Sequence, residues 1–181
     1  MAHLMGEIKR ACQDQFKIYA GTAEVVSIRS EISDLPYYQQ LAHILVSGDG
    51  IEVNFKTHFM MEDARKYAAL KLKQDVVPDY LVIDYIKEFC NLVAGKVRTS
   101  LEDSGLMLGQ SLPFAIQGFN EMFYPRNGGN SIVEAWTISA SCGQLMCSAL
   151  VRILNNDVLP FVEKTAYVEQ YGKESGTIEI F

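Results

Sequence analysis

The sequence predicts one α+β domain in which long helices pack against an antiparallel or mixed sheet. Two patterns support this prediction. Segments that favour strands occur in pairs joined by short turns, as in β-hairpins. Other segments place apolar residues three and four positions apart, as amphipathic helices do. The chain has 181 residues, of which 49% are hydrophobic and 21% are charged, so it can bury a substantial core.

Each predicted element follows from a local pattern. The segments with helical spacing cover residues 4–19, 60–73 and 79–104. The segments that favour strands cover residues 22–32, 41–47, 51–57, 106–118, 131–140 and 143–153. Gly21 and Gly105 are expected to end the first and third helices, and Asp79 is the expected N-cap of the third. Pro113 interrupts its strand, which favours a position at a sheet edge or a bulge.

Two hairpins and a C-terminal extension complete the predicted organisation. Gly-Asp-Gly at 48–50 suits a tight turn between the second and third predicted strands. The last two predicted strands form the second hairpin. After residue 154 the composition changes to scattered charges and glycines. We therefore assign residues 1–154 to the domain and residues 155–181 to an extension whose apolar residues could dock on it.

Charge and hydropathy exclude several classes of protein. The formal net charge of −6 argues against binding to nucleic acid or to an anionic membrane, since both normally require a basic surface. No apolar run approaches the roughly 18 residues that cross a bilayer. The first 16 residues carry acids and amides where a signal peptide needs its apolar region. We therefore expect a cytoplasmic protein.

The cysteines and histidines indicate neither a disulfide nor a metal site. The four cysteines, which form no C-x-x-C pair, are Cys12, Cys90, Cys142 and Cys147. Their pattern favours reduced and mostly buried thiols. The three histidines, none beside a second ligand at metal spacing, are His3, His43 and His58. No glycine-rich phosphate loop appears, since N-G-G-N at 127–130 is typical of a turn. The sequence thus predicts no metal and no cofactor of its own.

One edge of the third predicted helix carries an unusual set of residues. Asp84, Glu88, Asn91 and Gly95 fall within an arc of roughly 60° on a helical projection. The opposite side carries the apolar stripe, which consists of Val82, Ile86, Phe89, Val93 and Val97. The ordinary explanation of a polar stripe is a solvated helix face.

Two departures from local preference point to function instead. Asn91 is a poor residue for the middle of a helix, and Gly95 costs about 1 kcal/mol there relative to alanine. Asp84 and Glu88 form a like-charged pair at a spacing where opposite charges are expected. Functional residues are expected where a sequence departs from local preference in this way.

The residue types restrict the chemistry. No nucleophile–base pair is present, which argues against acyl-enzyme chemistry. Two carboxylates on one convex helix face form no sugar cleft for glycoside cleavage. An amide can orient water for in-line attack on phosphorus, and a nearby carboxylate can bind a cationic group. Such a site needs a partner that carries the phosphoryl group and its Mg²⁺.

The motif D-x-x-x-E-x-x-N-L-V-A-G at 84–95, followed by S-L-P at 111–113, resembles the signature of the CheC/CheX family of chemotaxis phosphatases. The flanking helices and hairpins also fall in the family's order, so the resemblance covers about residues 5–153. It implies a CheC/CheX-like fold, in which long helices pack on one face of a largely antiparallel sheet built from two hairpin units. The single copy of the motif places the resemblance in the CheX-like branch and implies a homodimer formed by sheet pairing.

The resemblance also implies a function and roles for individual residues. The family hydrolyses the aspartyl phosphate of CheY-like response-regulator receiver domains. Asn91 would position the attacking water, and Glu88 would contact a lysine in the receiver's active site. Asp84 would support the docking surface, and Pro113 would shape the strand beside the helix. Gly95 is expected to leave clearance for the partner, and the Mg²⁺ is expected in the receiver.

The sequence departs from the family pattern at two places, and two alternative functions are consistent with it. Cys90 stands where a small residue such as alanine is expected, and residues 155–181 extend past the usual end. The first alternative function is a non-catalytic adaptor that binds receivers or dimerises, with Glu88 and Asn91 as contact residues. The second is a structural domain whose polar stripe is simply solvated. An adaptor would bind a receiver without accelerating its dephosphorylation, whereas a structural domain would not bind it.

Overall fold

The computed structural model describes residues 1–20, 24–28, 38–118, 130–140 and 143–164. The helices in these ranges are α1 (Ala2–Ala20), α2 (Met61–Leu72), α3 (Asp79–Asp103) and α4 (Leu159–Lys164), with a 3-10 turn at Asn156–Val158. The strands are β1 (Glu24–Ile28), β2 (Gln40–Gly48), β3 (Ile51–Phe59), β4 (Gly109–Gln110), β5 (Phe114–Gln117), β6 (Ser131–Ala140) and β7 (Gly143–Ile153). Predicted features outside these ranges include Gly21 and Cys142.

The described strands form one antiparallel sheet in the order β1-β6-β7-β3-β2-β4, with β5 also paired to β2. The hairpins β2–β3 and β6–β7 meet where β3 pairs with β7, for example at Phe55 opposite Ala149. Both predicted hairpins are present, and the predicted α+β class is confirmed.

Helices α1, α2 and α3 cover the sheet, and their apolar stripes form the core with it. The predicted stripe of α3 is confirmed, since all five of its residues are buried. Phe55 of β3 stands at the centre of this layer, with ring centroids 6.4 Å from Phe89 of α3 and 6.3 Å from Trp136 of β6. Trp136 is fully buried. This packing fixes α3 on the sheet and leaves its polar edge outward.

The turn between β2 and β3 determines the path of the chain toward β4. Asp49 and Gly50 both have positive φ angles, 45° and 88°, as the predicted Gly-Asp-Gly turn requires. A Cβ atom on Gly48 would lie 2.3 Å from the carbonyl oxygen of Met107, so only glycine fits there. The Asp49 carboxylate accepts a 2.5 Å hydrogen bond from the Met107 amide. The turn therefore holds the segment that leads into β4.

The start of α3 differs from the prediction, whereas its end agrees. Pro78 occupies the N-cap position and Asp79 is the first helical residue, so the predicted Asp79 N-cap is wrong. The Asp79 carboxylate instead pairs with Arg65 of α2, whose Nε also donates to the Val77 carbonyl oxygen. Gly105 follows the helix with a φ of 107° and ends it as predicted.

Strands β4 and β5 lie at the edge of the sheet, where Pro113 separates them. The predicted edge position of Pro113 is confirmed. Ser111 bridges the interruption, because its amide donates to the Leu45 carbonyl oxygen at 2.8 Å and its Oγ accepts from the Leu45 amide at 3.0 Å. Since β5 pairs with β2 after Pro113, the edge segment is tied to β2 on both sides of the proline.

The chain beyond β7 packs back on the domain as far as it is described. Val158 and Val162 are 3% and 1% exposed and join the hydrophobic core. The expected docking of the extension therefore occurs in residues 156–164, and residues 165–181 lie outside the described residues. The boundary at residue 154 stays a prediction. Within the described ranges, no helix has the length and hydropathy needed to span a membrane.

Candidate functional site

The polar edge of α3 comprises Asp84, Glu88, Asn91 and Gly95. The structure places all four on one side of α3, where Asp84 and Glu88 are exposed and Asn91 and Gly95 are half-buried. Asp84 forms an ion pair with Lys87 one turn along the helix, at 2.6 Å. This pair offsets the repulsion between Asp84 and Glu88, and Glu88 is the carboxylate that contacts Asn91.

The carboxamide of Asn91 is held at both ends. Its Nδ2 donates to Glu88 Oε2 at 3.4 Å, and its Oδ1 accepts a 2.7 Å hydrogen bond from Gln110 Nε2. The same Gln110 nitrogen also donates to the backbone carbonyl oxygen of Asn91 at 3.3 Å. Three side chains from α3 and β4 therefore form one short chain of hydrogen bonds along the polar edge.

Gln110 is a site residue that the sequence pattern does not predict. It lies in β4 directly before the S-L-P segment and pairs with Val46 of β2. The only sequence signal was this adjacency to S-L-P, because nothing in the pattern of residues 106–118 predicts which side chain faces α3. Pro113 itself is half-buried between β4 and β5, beside α3. The structure therefore brings the S-L-P segment next to the polar edge but supplies the contact through Gln110.

Gly95 meets no obstacle within the described chain. A Cβ atom at this position would contact Gln110 Oε1 at 3.9 Å, which is an ordinary van der Waals distance. The packing of α3 therefore does not require glycine. Alanine at this position would stabilise the helix, because it is the better helix former. Gly95 lines an open groove, and its role as clearance for a partner stays a prediction.

An open groove of about 800 Å³ continues from the polar edge. Its lining combines Asn91, Gly95 and Gln110 with residues of α1 and the second half of α3. Asp14 of α1 and Lys96 of α3 form an ion pair at 3.7 Å in this groove. The charged side chains of the lining have both signs, so the groove presents no strong electrostatic preference of its own.

Cys90 adjoins Asn91 but points into the core. Its thiol is fully buried and donates to Thr57 Oγ1 at 3.2 Å. Burial raises the pKa of Cys90 to about 12, so the thiol is neutral at physiological pH and cannot act as a nucleophile. The departure from the family pattern at this position is therefore a matter of packing.

The buried thiol of Cys90 should make stability depend on alkaline pH. Its pKa rises from an ordinary 9.0 to about 12 on folding, so above pH 9 the unfolded chain releases a proton that the folded chain retains. The free energy of unfolding should then fall as pH rises, by at most about 1.4 kcal/mol per pH unit for this thiol, and should be insensitive to it at neutral pH.

Urea unfolding of the parent and of Cys90→Ala, under reducing conditions and across the alkaline range, measures this slope. The variant should lose less stability per pH unit than the parent, although burial also raises the pKa of Cys12 and leaves a residual slope in both. Equal slopes in the two proteins would show that Cys90 ionises as readily in the folded state as in the unfolded chain.

The described residues offer no site for a resident metal. No group of three or more histidine, cysteine, aspartate or glutamate side chains among them is arranged to hold an ion. The described cysteines, Cys12, Cys90 and Cys147, are all free and buried.

Comparison with known proteins identifies the fold. Neither a protein-family model nor a curated protein matches the sequence. A CheC-like chemotactic protein from Shewanella oneidensis MR-1 matches with a TM-score of 0.67 and 12% identity, over 83% of this chain and 98% of that chain. A chain of the CheX-CheY-BeF3-Mg2+ complex from Borrelia burgdorferi matches with a TM-score of 0.65 and 15% identity, over 83% and 97% of the two chains.

A third structure agrees with these two. The chemotaxis protein CheX from Vibrio vulnificus matches with a TM-score of 0.63 and 15% identity, over 82% of this chain and 96% of that chain. Identity at this level carries information about architecture, and function has to be argued from the site. The chain has the CheC/CheX-like fold that the motif at 84–95 implied.

Proposed function

We propose that the protein hydrolyses the aspartyl phosphate of a CheY-like receiver domain. The observation that carries this proposal is the Asn91 carboxamide, held between Glu88 and Gln110 on the outward edge of a rigid helix. One structure with the same fold is a complex of CheX with CheY, BeF3 and Mg²⁺. That complex supports a receiver as the kind of partner to which this edge would bind.

Hydrolysis of an aspartyl phosphate requires mainly that the protein position the attacking water. The oxygen of a water molecule forms a bond to phosphorus while the bond between phosphorus and the aspartate oxygen breaks, which releases inorganic phosphate and restores the carboxylate. An acyl phosphate is already labile, so correct placement of the water and of charge supplies most of the catalysis. Oδ1 of Asn91 has a second lone pair that can accept a hydrogen bond from this water. The Mg²⁺ would be held by the receiver.

Glu88 is suited to bind a cation on the partner. Its carboxylate is exposed, and its hydrogen bond from Asn91 is long at 3.4 Å, so it can exchange that contact for a stronger one. A receiver lysine would make a charge-assisted pair with it and dock the phosphoryl group beside Asn91. Asp84, one turn away and paired with Lys87, would adjoin this contact as part of the docking surface.

A non-catalytic adaptor is the second candidate, and exposed apolar side chains on the segment beside α3 favour it. Met107 is 77% exposed and Leu112 is 88% exposed. Such residues fit a protein-binding surface whether or not hydrolysis follows. The homodimer implied by the CheX-like resemblance stays a separate prediction, which light scattering of the purified protein would check.

Mixing the protein with a receiver phosphorylated by a small-molecule phosphodonor, and following phosphate release, tests the proposal. Accelerated release supports a phosphatase. Receiver binding without acceleration rejects the phosphatase and leaves the adaptor. If several receivers from the same organism neither bind nor lose phosphate faster, the polar edge is simply a solvated helix face.

Replacing Gly95 by alanine should separate stability from activity. The substitution should raise the free energy of unfolding by about 1 kcal/mol, because alanine is the better helix former and finds no clash within the described chain. Activity should fall, with the loss in KM, because the added methyl group occupies the clearance needed by the partner. Urea unfolding and receiver titration measure the two effects. A variant that is both more stable and equally active would show that Gly95 has no role in docking.

A further inference from the structure

The Gln110 side chain is the one member of the hydrogen-bond chain that lies outside the D-x-x-x-E-x-x-N motif. It reaches from β4 to α3 and donates to two acceptors on Asn91, the side-chain Oδ1 at 2.7 Å and the backbone carbonyl oxygen at 3.3 Å. Both contacts use the same nitrogen, Nε2. Gln110 therefore contacts the residue on which the proposed hydrolysis depends.

The backbone contact fixes the orientation of both amides. A carbonyl oxygen can only accept, so the atom of Gln110 that faces the Asn91 backbone must be the nitrogen. The atom of the Asn91 side chain that faces this nitrogen must then be its oxygen, which turns Nδ2 toward Glu88. The opposite orientation of Asn91 would place two N–H donors against each other. Gln110 and Glu88, whose carboxylate can only accept, thus both orient the Asn91 amide with Nδ2 toward Glu88.

This arrangement leaves Gln110 itself incompletely satisfied. Its Oε1 is buried and has no hydrogen-bond partner among the described residues. An unpaired buried acceptor is unfavourable, so the arrangement is not one that stability alone selects. Its contacts tie β4 to α3 and hold the Asn91 amide in position, which suits a residue retained for function.

The backbone of Gln110 is anchored independently of α3. It pairs with Val46 of β2, and the next residue, Ser111, makes two hydrogen bonds with Leu45. On the other side, Asp49 holds the Met107 amide. These contacts fix the start of the Gln110 side chain relative to the sheet, so its amide can act as a stationary support for Asn91.

We propose that Gln110 is a positioning residue for Asn91, an inference that rests on the proposed phosphatase function. When Glu88 turns to the receiver's lysine, Asn91 loses the hydrogen bond at its nitrogen end. Gln110 keeps the oxygen end in place, so the second lone pair of Oδ1 still faces the water and Nδ2 is released toward a phosphoryl oxygen. Without Gln110, the amide would rotate during the step that needs it fixed.

Two variants test this role. Gln110→Met keeps the length of the side chain and removes the donor, and it should lower kcat by roughly 3- to 10-fold with KM little changed. Gln117→Met, at an exposed position on β5, is the matched control and should behave as the parent. Thermal unfolding of both variants checks that they fold.

Gln110→Glu adds a readout that a structural role would not produce. A neutral carboxyl group can donate to Asn91 Oδ1, whereas an ionised one repels it. The kcat of this variant relative to the parent should therefore rise as the pH is lowered from about 8 to about 5.5, since partial burial raises the pKa of a carboxyl group. A ratio that is flat or falls with acidification would overturn the proposal.

The side-chain amide resonances of Asn91 separate this inference from the proposed function. In the parent the shifts of the two Nδ2 protons should differ from those of a solvent-exposed asparagine, and in Gln110→Met they should move toward the exposed values. If the parent is inactive on every receiver, the proposed function and the catalytic role of Gln110 both fail, even where the resonances move. If the parent is active, Asn91→Ala is impaired and both Gln110 variants match the parent, only the role of Gln110 is wrong.

Discussion

Asn91→Ala should lower the rate constant of receiver dephosphorylation by about 10²- to 10³-fold, by analogy with the loss of other single electrostatic groups at active sites. The alanine side chain cannot orient water, while the proposed docking contacts of Glu88 and the surrounding surface would remain. The loss should therefore appear in kcat, with receiver affinity within a few-fold of the parent. Single-turnover phosphate release at saturating protein measures the effect directly.

Glu102→Ala provides the control for this substitution. Glu102 is an exposed residue of the same helix, near its C-terminal end, where it pairs with Arg98 at 3.6 Å. Its loss should leave the rate unchanged. Phosphate release by Asn91→Ala at the parental rate would show that another group, or the receiver alone, places the water.

Glu88→Lys should weaken receiver binding more than any neutral substitution at this position. A lysine there would face the receiver's own lysine, and like charges brought together across an interface cost several kcal/mol, or on the order of 10²- to 10³-fold in kcat/KM. The loss should shrink as salt is added, because screening weakens the repulsion. Titration of a phosphorylated receiver at two ionic strengths gives both quantities.

Exchange of charge provides the decisive control for Glu88. If Glu88 pairs with the receiver's lysine, a receiver carrying glutamate in place of that lysine should recover binding to Glu88→Lys. Recovery of binding without recovery of turnover is sufficient, since the receiver lysine also serves its own active site. Equal affinity of Glu88→Lys and the parent for the unaltered receiver would remove Glu88 from the interface.

The sequence predicted the parts of the fold that depend on local chemistry. The turn at 48–50 follows from residues that tolerate positive φ, and the core stripe of α3 follows from helical spacing. The start of α3 was not predicted correctly. Asp79 has a side chain suited to an N-cap, but it forms an ion pair with Arg65 of α2 instead. Pro78, with φ of −61° and ψ of 150°, takes the cap position without a side-chain hydrogen bond.

The candidate site likewise has a part that local sequence predicts and a part that it does not. The four residues of the polar edge share one helix, so their spacing predicts that they lie on a common side. Gln110 comes from a strand of only two residues, and its contact with Asn91 depends on the register between β4 and β2. That register is set by the turn at Gly48 and by the Ser111–Leu45 hydrogen bonds. No local pattern encodes this register, so the sequence predicts Asn91 as a site residue but does not predict Gln110.

The position of the polar edge along α3 has a consequence for recognition. The helix has 25 residues and is about 37 Å long, and Glu88 and Asn91 lie near its middle. Helix ends fray, whereas this central part is anchored by Ile86, Phe89 and Val93 in the core. Docking would therefore take little conformational entropy from this side of the interface. The ordering that accompanies binding would fall mainly on the partner, whose loops would have to settle around a preformed ridge.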